Sequence, residues 1–159
     1  HALPILQRHQ LRAITFLVAG KLGGHNDWDI AKGDVCQSLM SEAEVRTWLA
    51  AGHAIGSHSL THPNLRKIAP PSAREEITAS RKKLEDTFGG PVTHFCYPYG
   101  SYDEVIQEHV AAAGYQTAST VRLGIYHRGD SLLTLPRLAP LTTGEWWRKA
   151  MHRLRRRFP

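Results

Sequence analysis

Short apolar and β-branched runs alternate along this chain with longer segments that open on helix-capping residues. No other feature restricts the fold as much. The runs are Ala13–Ala19 (Ala-Ile-Thr-Phe-Leu-Val-Ala), Ala54–Gly56, Val92–Tyr97, Tyr115–Val121 and Leu132–Leu138. The first is continuous, as expected of a strand buried on both faces in a parallel sheet. Three segments between the runs have the Ser-x-x-Glu spacing of a capping box: Ser41–Glu44, Ser72–Glu75 and Ser101–Glu104. They predict helices through Val45, Trp48 and Leu49 to Gly52, through Ile77, Leu84 and Phe88 to Gly89-Gly90, and through Val105, Ile106 and Val110 to Gly114. Residues 1–10 read as the back half of a further helix. Strands alternating with helices imply an α/β fold built on a parallel sheet or barrel, here with about five strands.

A chain of 159 residues is expected to form one domain, 1–159, with a core that needs no staples. No apolar run reaches the ~20 residues of a membrane span, and there is no signal-type segment at the start. The opening inside a helix suggests that the N-terminus lies upstream, so the compartment stays open, the cytoplasm being the default. Cys36 and Cys96 form no CxxC and read as separate thiols. The net charge of +6 is concentrated at one end: residues 145–159 hold six Lys/Arg and one Asp/Glu, the rest fourteen and thirteen. A nearly neutral body gives no ground for expecting nucleic acid as a partner. The basic segment is expected to form an amphipathic closing helix over about 143–157. Trp146 and Trp147 leave contact with a membrane surface or polyanion as the alternative.

In folds of this class, chemistry gathers at the carboxyl ends of the strands. Just past the second run the chain reads His58-Ser-Leu-Thr-His62-Pro63. The residue before a proline is pushed out of the helical region, so His62 is expected to end a helical turn. Two imidazoles four residues apart can point into one cleft, where they suit a divalent metal that keeps other positions open. Ten histidines would give roughly 0.6 such pairs by chance, so structural histidines are the competing reading. The glycine-rich loop Gly23–Asp29 and the segment Tyr97–Gly100 follow the first and third strands and fall at the same end. In that loop Trp28 is either a sugar-stacking face or an anchor, and Asp27 and Asp29 read as loop caps more than as ligands. His25, His53, His94 and His109 read as bystanders.

The segments His58–Leu65 (His-Ser-Leu-Thr-His-Pro-Asn-Leu) and Phe95–Gly100 (Phe-Cys-Tyr-Pro-Tyr-Gly) resemble motifs of the polysaccharide deacetylase family, the NodB-homology domain of carbohydrate esterase family 4 type. The resemblance runs over nearly the whole chain, in the same order of strands and helices. It implies an irregular (β/α) barrel, lacking its first strand in this chain, and a metal-dependent hydrolase that removes acetyl groups from an N-acetylated polysaccharide or glycan precursor. Zinc is the implied metal, with cobalt or nickel possible. His58 and His62 match the two histidine ligands. Tyr99 matches the residue whose backbone N–H faces the oxyanion, with Pro98 and Gly100 shaping its turn and Tyr97 beside it lining the groove.

The chain also departs from the family pattern. Cys96 and Tyr97 stand where the groove motif has Arg and Pro. The family's Asp-Asp strand, source of the third ligand and the base, would fall before His1. The closing Leu-x-His that supplies the acid is replaced by Leu135-Pro136-Arg137-Leu138. His127 is the nearest candidate acid, and Arg137 is expected near the site. The chain is thus expected to bring two of three protein ligands and, by itself, not to be an active deacetylase. A catalytically incomplete, glycan-binding relative is the alternative.

Overall fold

The computed structural model describes residues 2–30, 33 and 35–138. Strands β1 (Ile14–Leu17), β2 (Ala54–Ser57), β3 (His94–Cys96), β4 (Thr117–Leu123) and β5 (Leu135–Arg137) form one sheet in chain order, and every adjacent pair is parallel. Helices α1 (Ala2–Arg8), α2 (Asp27–Ile30), α3 (Glu42–Ala50), α4 (Pro70–Phe88) and α5 (Glu104–Ala112) lie between or before them. Parallel neighbours joined in sequence order make the wall of an α/β barrel that is open among the described residues, with β1 and β5 at its edges. The expected irregular (β/α) barrel class is the one observed.

The sheet packs chiefly on α4. Ala73, Ile77, Ser80 and Leu84 recur at three- and four-residue steps, and all are fully buried. They meet Phe95, Val110, Tyr115 and Ala118 in one core cluster. A polar seam crosses this core and is paired throughout, as buried hydroxyls must be. Ser80 donates to the Ile77 carbonyl (2.9 Å) and accepts from Ser57 (2.7 Å), and the Tyr115 hydroxyl also reaches the Ile77 carbonyl (3.2 Å). Ser57 is the last residue of β2, so the seam ties the strand that leads into the His58 segment to α4.

Several expectations are corrected. The first run is not fully buried: Ile14 is 38% exposed and Thr15 and Phe16 are half-buried, and among the described residues β1 is an edge strand. The Ser41–Glu44 capping box forms, with Ser41 Oγ accepting from Glu44 N (3.3 Å) and Glu44 Oε2 from Ser41 N (2.8 Å). The other two do not open their helices. α4 begins at Pro70, and Ser72 lies within its first turn, because prolines at the first helical positions pre-set φ and need no donor there. α5 is capped by Asp103, whose Oδ1 accepts from Ile106 N (3.0 Å), two residues after the expected Ser101. Both cysteines are free, Cys36 exposed and Cys96 buried. Among the described residues no helix is long and apolar enough to cross a membrane. The expected basic helix over 143–157 lies outside the described residues.

Candidate active site

Each nominated segment follows the carboxyl end of a strand: Trp28 after β1, His58 and His62 after β2, Tyr97–Gly100 after β3, His127 after β4, with Arg137 closing β5. Four of these residues meet in one cluster centred on the buried ring of His62. Trp28 stacks on it at 4.3 Å between centroids and 25° between planes. Tyr99 meets it edge-on at 4.7 Å, and His58 does so at 4.6 Å.

The His58 ring is fixed by backbone. Its Nδ1 lies 2.7 Å from the Cys96 carbonyl oxygen, which can only accept, so Nδ1 carries the proton and Nε2 presents a lone pair. That Nε2 stands 3.1 Å from Nε2 of His62. Two nitrogens each at about 2.0–2.1 Å from a tetrahedral ion would lie about 3.3 Å apart, so the pair has nearly the bite of a two-nitrogen chelate. Burial holds the His58 pKa below its ordinary 6.5, and the nearby Arg137 charge adds to this, while the Cys96 bond opposes it. The net effect favours the neutral ring that a metal requires. Burial also pushes the Cys96 thiol up, with Arg137 partly offsetting, so Cys96 contributes its carbonyl and not a thiolate. Among the described residues no group of three or more His, Cys, Asp or Glu is placed around an ion.

The loop carrying the pair is not the helical turn expected from Pro63. Ser59 (φ 65°) and His62 (φ 67°) both adopt left-handed backbone, at a cost of about 1–3 kcal/mol each. Neighbouring bonds hold it. Ser59 Oγ accepts from His62 N (3.0 Å), Ala19 N donates to Ser59 O (3.0 Å), Gly20 N to Leu60 O (2.7 Å) and His58 N to Leu17 O (2.8 Å). Gly20 is required by this approach, since a Cβ there would stand 2.6 Å from the Leu60 carbonyl oxygen. Glu76 of α4 accepts from the backbone N–H groups of Leu60 and Thr61 and from the Thr61 hydroxyl. Sequence reasoning missed Glu76. Its signal was a carboxylate three residues after Ala73 and four before Ser80, on a face that is otherwise buried.

At the end of β3, Tyr99 is left-handed (φ 58°, ψ 9°) inside the Pro98–Gly100 turn, and it is 40% exposed. Gly100 (φ 63°) is required here, because a Cβ would meet the Val121 side chain at 2.4 Å. Tyr97, expected to line the groove, and Pro98, expected to shape the turn, are both fully buried. The Tyr97 ring packs on Phe95 and Tyr102, and its hydroxyl donates to the Leu133 carbonyl (2.9 Å). Phe95, Cys96, Tyr97 and Pro98 are buried in succession. Trp28 stacks on His62, and its helix is tied down by the Lys21–Asp27 pair at 2.6 Å. Arg137 Nε donates to the Thr120 carbonyl (2.8 Å), and its charge reaches His58 and Cys96. His127 lies in the exposed loop after β4, where its backbone N–H donates to Asp130 Oδ2 (2.9 Å) and its carbonyl accepts from Asp130 N (3.0 Å).

The fold and the site together define an α/β protein of open-barrel type with an imidazole pair at the carboxyl edge of its parallel sheet. The sequence model of the polysaccharide deacetylase family matches residues 1–118, and the chain belongs to that family. The Bacillus subtilis protein YxkH is 26% identical over 137 residues, which are 86% of this chain and 45% of that protein. A chitooligosaccharide deacetylase of Azorhizobium caulinodans is 39% identical over 69 residues, 43% of this chain and 33% of that one. The crystal structure of BC0361, a polysaccharide deacetylase from Bacillus cereus, superposes with a TM-score of 0.74 at 25% identity, covering 94% of this chain and 46% of that one. The chain spans less than half the length of each of these relatives.

Proposed function

We propose that this chain carries the histidine half of a divalent-metal site in a hydrolase that removes acetyl groups from an N-acetylated glycan. The observation that carries this reading is the Nε2–Nε2 pair at 3.1 Å, with the His58 tautomer set by the Cys96 carbonyl. Membership of the polysaccharide deacetylase family supports the reaction class.

The reaction adds water to the acetamide carbonyl, breaks the C–N bond, and releases acetate and a free sugar amine. It needs an activated water, a stabilised oxyanion and a proton for the amine. A bound divalent ion would lower the water's pKa and polarise the carbonyl. His58 and His62 are the residues that would hold that ion, with zinc favoured and cobalt or nickel compatible with imidazole ligands. Tyr99 would supply a backbone donor to the oxyanion from its left-handed turn, which Gly100 makes room for. Trp28 would keep one face of His62 dry, and Arg137 would add positive charge behind His58. His127, on the loop after β4, would be the candidate acid.

The test is acetate release from chitooligosaccharides, measured with added zinc or cobalt and after chelation. It should use this chain and a longer one in which an Asp-Asp strand is supplied ahead of residue 1. The extended chain is expected to release acetate in the presence of metal and to lose that activity, with its stoichiometric zinc, on His58→Ala or His62→Ala. Full zinc occupancy in the double variant would remove the ligand assignment. Glycan binding with no acetate release from either version would favour the alternative, a catalytically incomplete glycan-binding relative.

A further inference from the structure

The two imidazoles are held by unequal means. His58 is fixed from two strands, through its ring to the Cys96 carbonyl and through its backbone N–H to Leu17 O. His62 lies four residues on, beyond the end of β2, on a loop with two left-handed residues. The middle of that span is gripped by one carboxylate. Glu76 Oε2 accepts from Leu60 N at 2.9 Å and Thr61 N at 2.8 Å, and Oε1 accepts from Thr61 Oγ1 at 2.6 Å. Bonds to an ionised carboxylate are short and strong, and these three draw on both of its oxygens. The carboxylate also stands on a rigid base, because its helix neighbours Ala73, Ile77 and Ser80 are fully buried in the core. Leu60 and Thr61 lie midway between the two imidazoles along the chain.

We propose that Glu76 is the positioning residue that sets the separation and mutual orientation of the His58 and His62 rings, so that the pair can receive one divalent cation. The role of the cation rests on the metal reading above; the role of Glu76 in placing the rings does not. Groups bonded directly to a metal-binding histidine typically change metal affinity about 10–100-fold when lost, and Glu76 acts one link further out, through Leu60 and Thr61, so a smaller loss is expected.

The experiment compares Glu76→Gln, Glu76→Ala and Thr61→Val with the wild-type chain. Glu76→Gln keeps the side chain's shape but sets an NH2 group against a donor. Glu76→Ala removes all three bonds, and Thr61→Val removes the hydroxyl bond alone. The readouts are long-range 1H–15N spectra of the histidine rings in the metal-free chain, and the affinity and visible absorption bands of added cobalt. Thermal melts identify variants that fold. The expected result is a cooperative melt for Glu76→Gln, His62 ring signals that move more than those of His58, and cobalt affinity lowered by up to about 10-fold, the lower end for a direct partner of a ligand, with Thr61→Val the mildest. Should Glu76→Ala fail to fold, Glu76→Gln decides. Ring signals and cobalt affinity that match wild type in the folded Glu76 variants would overturn the inference and leave Glu76 as a loop tether. If the wild-type chain takes up no cobalt, the metal reading fails separately. Glu76 then keeps its assigned role if the metal-free ring signals still move in the variants, and loses it if they do not.

Discussion

The His58 ring takes its chemistry from its surroundings more than from its own identity. Its folded-state pKa lies below 6.5, first because it is buried. The sign of the linkage follows. Above about pH 6.5 the ring is neutral in both folded and unfolded chains, and its full contribution to stability is present. As the pH falls below that value the unfolded chain takes up the proton first, and stability declines until the folded-state pKa is passed. Urea midpoints at pH 7.5, 6.5 and 5.5 should therefore fall with acidity more steeply in wild type than in His58→Gln. Parallel slopes would mean that His58 is not depressed. Gly100 has an equally local cause. Its positive φ and the Val121 contact together predict that Gly100→Ala lowers unfolding free energy by more than the ~1 kcal/mol of the backbone effect alone, read from denaturant melts.

At the scale of elements, what could be read in advance depended on whether the signal was local. The strand runs and the Ser41–Glu44 box are local, and both are found in the fold. Ser41→Ala should cost about 1 kcal/mol, and Glu44→Gln less, measurable as a shift in the urea midpoint. Ser72 and Ser101 have the same spacing, yet stronger local signals beside them win: two prolines at the start of α4 and Asp103 directly before α5. His58 and His62 could be picked out by spacing, but the left-handed loop between them could not, because it is imposed by groups far along the chain. Ala19 and Gly20 lie about forty residues before it, and Glu76 lies fourteen residues after His62. The packing of the Tyr97 ring against Phe95 and Tyr102 is likewise set by partners that the run itself does not name.

Across the described molecule, the core is one cluster shared by the sheet, α3, α4 and α5. Unfolding should therefore proceed in one step, with far-UV and near-UV circular dichroism reporting coincident transitions. Leu84→Ala, at a fully buried position of α4, should destabilise the chain by about 2–5 kcal/mol without separating the two transitions. A transition that splits would show that α4 and the sheet are not one cooperative unit. The same connectivity carries stability to the site. α4 meets the last residue of β2 through Ser80 and the following loop through Glu76, so the longest helix holds both the core and the imidazole pair.

The stacking of Trp28 on His62 has an optical consequence. Indole emission is quenched by a protonated or metal-bound imidazole at contact distance, and here the ring centroids are 4.3 Å apart. The candidate site thus contains its own fluorophore. Zinc or cobalt added to the chain should change the tryptophan emission in step with binding, and Trp28→Phe should abolish that response while sparing the emission of Trp48. A metal titration followed by fluorescence would then report on His62 directly, without a coloured ion or an added substrate.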